Sequence, residues 1–167
     1  MFESAGGGVA PFRFVDQALG AARRPGDQEG RPTSACYRPI ADPAVGPVTL
    51  LFESDEMGSP EDLTEFEVIA AGTRPEVEKG CVRIQVAAHA IATDRGIRLG
   101  LTRAAVERLL GKPTRESDGL AEYERVTERI VTTSGGSSDR VDLFSSITVT
   151  YEHGRVVAFS GALGDTD

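Results

Sequence analysis

Leu99-Gly100-Leu101-Thr102-Arg103-Ala104-Ala105-Val106-Glu107-Arg108-Leu109-Leu110-Gly111-Lys112-Pro113 reads as one short capped helix, and the rest of the chain can be placed around it. Thr102 suits the N-cap, because its hydroxyl can accept from a backbone N–H of the first turn. Leu101 and Val106 occupy the two positions of a hydrophobic staple, and Gly111 with Pro113 beyond it stops the helix. Val106, Leu109 and Leu110 share a face that needs an apolar surface to lie on. The strand-like sequence elsewhere in the chain supplies one. Gly111 is expected in the left-handed conformation of a helix C-cap.

Working back from this helix, residues 81–89 alternate, with Val82, Ile84, Val86 and Ala88 facing one way. Residues 64–70 put Phe66 and Val68 on one side and Glu65 and Glu67 on the other, and residues 48–53 set Val48, Leu50 and Phe52 against Thr49 and Leu51. Strand-like sequence also runs from Ser34 to Ile40, with turn signals at Asp42-Pro43 and Gly46-Pro47. These segments read as a three- or four-stranded meander. Phe12, Val15 and Leu19 have helical spacing and end on Gly20, whereas residues 21–32 are a polar loop and residues 1–10 a Gly-rich leader with nothing to bury.

Forward of the helix, Tyr123 opens a strand, residues 134–138 (Ser-Gly-Gly-Ser-Ser) form a hairpin tip, and Ile147, Val149 and Tyr151 alternate toward a tight turn at His153-Gly154. Val156 to Phe159 closes that hairpin, and residues 164–167 read as a polar tail. The fold expected is α+β: an antiparallel β-sheet meander with one or two short helices packed on one face. The chain divides at residues 1–10, 11–95, 96–163 and 164–167. A tandem helix-plus-sheet repeat also fits. Residues 12–20 align with 103–111, Tyr37 with Tyr123, residues 48–53 with 147–152, and Phe66 with Phe159.

With 167 residues, 40% of them hydrophobic, the chain can bury one compact core. A net charge of −8 disfavours a nucleic-acid or anionic-membrane surface. No apolar run approaches the roughly 20 residues of a transmembrane helix. The start has neither the basic region nor the apolar core of a signal peptide. The two cysteines, Cys36 and Cys81, open or lie in strand-like segments. They are expected to pair as a structural disulfide of an oxidising compartment, with two buried reduced thiols as the alternative.

His89 and Cys36 lack an orienting group for nucleophilic catalysis. Asp55, Glu56, Glu61 and Asp62 crowd one turn without the order of a calcium loop, and Gly6, Gly7 and Gly8 follow no strand that would make them a phosphate cradle. No catalytic residue, metal site or cofactor is expected. Tyr37, Tyr123 and Tyr151 either line a binding face or belong to the core, since alternating strand aromatics do both.

Gly100-Leu101-Thr102, Val106, Leu110-Gly111 and Pro113, followed by Tyr123 and the hairpin from Ile147 to Phe159, resemble the SmpA/OmlA domain of outer-membrane lipoproteins, the BamE type. The same residues resemble the repeat of the β-lactamase inhibitor protein. The resemblance spans residues 96–163, and no lipobox cysteine stands near the start. It implies a non-enzymatic, periplasmic or extracellular module that binds a protein partner or serves cell-envelope assembly through a sheet surface. A secreted enzyme inhibitor and a hydrolase of another type are the alternatives.

Overall fold

The computed structural model describes residues 10–20, 34–54, 62–70, 80–132 and 138–166. Its elements are β1 (Ala10–Pro11), α1 (Phe12–Leu19), β2 (Ser34–Ile40), β3 (Val48–Glu53), β4 (Asp62–Leu63), β5 (Glu65–Ala70), β6 (Val82–Ala87), α2 (Arg103–Leu110), β7 (Arg115–Ser117), β8 (Leu120–Thr132), β9 (Ser138–Glu152) and β10 (Arg155–Thr166). β1 pairs with β4, and the other eight strands form one sheet in the order β6-β2-β3-β5-β10-β9-β8-β7.

This architecture corrects the expected α+β meander, because strand dominates the chain and the sheet is mixed. β6 does not continue the antiparallel path after β5. It crosses over to lie parallel to β2, with Tyr37 opposite Val82 and Arg38 opposite Arg83. β5 pairs instead with β10, which welds the two halves of the chain into one sheet. Ala10 belongs to β1, and residues 164–166 are paired strand opposite Asp142, Leu143 and Phe144, because backbone pairing does not depend on apolar side chains. Of the expected hairpin tip at 134–138, Ser138 begins β9, and residues 134–137, the loop at 21–32 and residues 1–9 lie outside the described residues.

The strand order is palindromic about the β5·β10 seam, running β5-β3-β2 one way and β10-β9-β8 the other. Within the seam Phe66 faces Gly161 and Val68 faces Phe159, on either side of Glu67 and Ser160. Farther out Tyr37 opposes Leu50 as Tyr123 opposes Ile147. Phe52 opposes Phe66 as Val149 opposes Phe159. The alignment of residues 48–53 with 147–152 is therefore two residues out of register; a bulge between Val156 and Ala158 shifts the closing strand. At the seam a Cβ on Gly161 would lie 2.5 Å from the Phe66 ring, and that ring meets Phe159 edge to face with centroids 6.3 Å apart. Glycine is what lets the ring lie there.

One face of the sheet carries the main core: Tyr37, Val48, Leu50, Val149 and Phe159 are each at most 2% exposed. Val15 of α1 and Val106 of α2 are both fully buried in the same cluster. Thr102 caps α2 by accepting from the Ala105 N–H at 3.3 Å. Each helix closes on a glycine whose N–H donates back four residues at 2.8 Å, Gly20 to Asp16 and Gly111 to Glu107.

The conformation of Gly111 differs from the expected left-handed cap, at φ +89° and ψ −162°. That region is open essentially only to glycine, whereas asparagine tolerates the left-handed helix well. Gly111→Asn and Gly111→Val are therefore both expected to destabilise the protein by about 1–3 kcal/mol. Urea unfolding measures it, and wild-type stability of the asparagine variant would refute the assignment.

Candidate functional site

Cys36 and Cys81 form a disulfide across the β2·β6 edge, with Cα atoms 4.6 Å apart. The bridge removes the thiol that a Cys36–His89 pair would need. The ring of His89, in the 3₁₀ turn after β6, instead has Nδ1 2.6 Å from Asp42 Oδ2, joining that turn to the β2–β3 connection. The Ala44 backbone N–H and then His89 hold the Asp42 carboxyl below the usual carboxylate range. The acidic turn at 55–61 lies outside the described residues, as does the side chain of Asp62. Among the described residues no group of three or more His, Cys, Asp or Glu is placed to hold a metal ion.

The three tyrosines are buried in the main core. Tyr37 is fully buried and donates its hydroxyl to the Gly20 carbonyl at 2.9 Å, tying β2 to the end of α1. Tyr123 and Tyr151 are 8% and 7% exposed, and their side chains interact with each other. The Arg103 guanidinium lies 4.5 Å from the centre of the Tyr151 ring and is ion-paired with Glu116.

Burial, the neighbouring Tyr123 hydroxyl and Glu107 together raise the Tyr151 phenol far above its usual value of about 10, and Arg103 opposes them less strongly. A raised acid contributes stability that is complete below the unfolded-state pKa and is lost as pH climbs above it, because only the unfolded chain then releases the proton. The urea midpoint is therefore expected to fall between pH 9 and pH 11.5, and Tyr151→Phe is expected to flatten that fall. An unchanged slope in the variant would disprove the assignment.

The second face of the sheet is organised differently. Leu51, Ile69 and Ala158 are buried there, with Cys36 packed beside them. Toward the other end of the same strands the face becomes polar and open. One rung crosses five strands as Glu53, Glu65, Ala162, Ser146 and Glu124. The rung next to it reads Leu51, Glu67, Ser160, Thr148 and Glu122. Glu53 and Glu65 are exposed. Glu53, Glu65, Phe66, Glu67 and Ser160 line a hollow of about 240 Å³.

Comparison with protein-family models, with curated proteins and with solved structures finds no match to this chain. The open band is thus described by its own residues alone. In the sequence Glu65 and Glu67 are only the polar side of an alternating strand. The signal that they share a surface with Glu122 and Glu124 is the run of small outward residues in β9 and β10, and reading it requires the β5·β10 pairing.

Proposed function

We propose that this protein is a non-enzymatic binding module that holds a protein partner on the second face of its sheet and works in an oxidising compartment outside the cytosol. The observation that carries the reading is the open polar band across β3, β5, β10, β9 and β8, set on the back of a sheet whose other face carries both helices and the main core. A wide, rigid surface of paired strands can present side chains at fixed spacing without induced order. The Cys36–Cys81 bridge agrees with the compartment. No helix among the described residues is long and apolar enough to cross a membrane.

A photoreactive amino acid placed at Thr148, on the band, and at Leu109, 43% exposed on α2, tests the reading in the native host. Discrete protein adducts are expected from Thr148 and none from Leu109. The same adducts from both positions, or none from Thr148, would overturn it.

A further inference from the structure

We draw no further inference here: the strongest candidate, the outer edge of β8 from Arg125 to Thr132, which no described strand pairs beyond the three residues of β7, carries nothing, because nothing in the structure shows what covers it.

Discussion

Phe159→Ala is expected to lower the unfolding free energy by about 3–5 kcal/mol, the range for truncating a buried aromatic ring. Phe159 is 2% exposed and stands at the seam through which the two halves of the sheet are joined. Its ring meets Phe66 edge to face, and its backbone pairs with β5 on one side and with β9 on the other. Truncation leaves a cavity between strands that cannot close on it, because the register on both sides is held by continuous backbone pairing. Chemical unfolding monitored by tyrosine fluorescence and by circular dichroism gives the loss. Coincident transitions from the two probes are also expected, since a sheet welded at its centre should unfold as one unit. A loss under 1 kcal/mol would show that the seam tolerates the cavity and that Phe159 is not a central packing residue.

The parts of this fold legible in the sequence are those whose causes are local. The N-cap at Thr102, the burial of Val106 and the glycine that ends α2 are written within ten residues of one another, and α2 spans Arg103–Leu110. The turn at His153-Gly154 has both residues at positive φ, as a two-residue hairpin of that composition requires. Pairings between distant segments left no local trace. Neither the parallel placement of β6 beside β2 nor the β5·β10 seam follows from alternation, because every alternating strand offers the same period to any neighbour.

The candidate site was obscured for the same reason. Glu53, Glu65, Glu67, Glu122 and Glu124 each read as an ordinary solvated position on its own strand, and they fall on adjacent rungs of one face only once the order of the central strands is known. The sequence left the tyrosines open between core and binding face, and all three are buried. Tyr37 and Tyr123 sit at corresponding places in the two arms of the sheet, where each is buried in the main core. An amphipathic ring at an alternating position carries no mark of which face will be covered.

Removal of the Cys36–Cys81 bridge, by Cys36→Ala with Cys81→Ala, is expected to cost about 4 kcal/mol in the chain-entropy model for a 45-residue separation. The fold places this cross-link where pairing is weakest. β6 is an edge strand joined to the sheet only through β2, in the sheet's one parallel pairing among the described strands, with a register break between Arg38 and Ile40. Parallel pairs are slightly less stable per residue than antiparallel ones, and an edge strand has a partner on one side only. Without the bridge, hydrogen exchange is expected to rise first in Val82–Ala87 while β9 and β10 stay protected, because those two strands are paired along their whole length. Intact mass under denaturing conditions decides whether the bridge exists in the protein as made. Alkylation should add two labels only after reduction when the protein is taken from an oxidising compartment. Two labels without reductant would remove the support that the bridge lends to that compartment, and a stability loss under 1 kcal/mol in the double variant would show that β6 is held by its packing rather than by the cross-link.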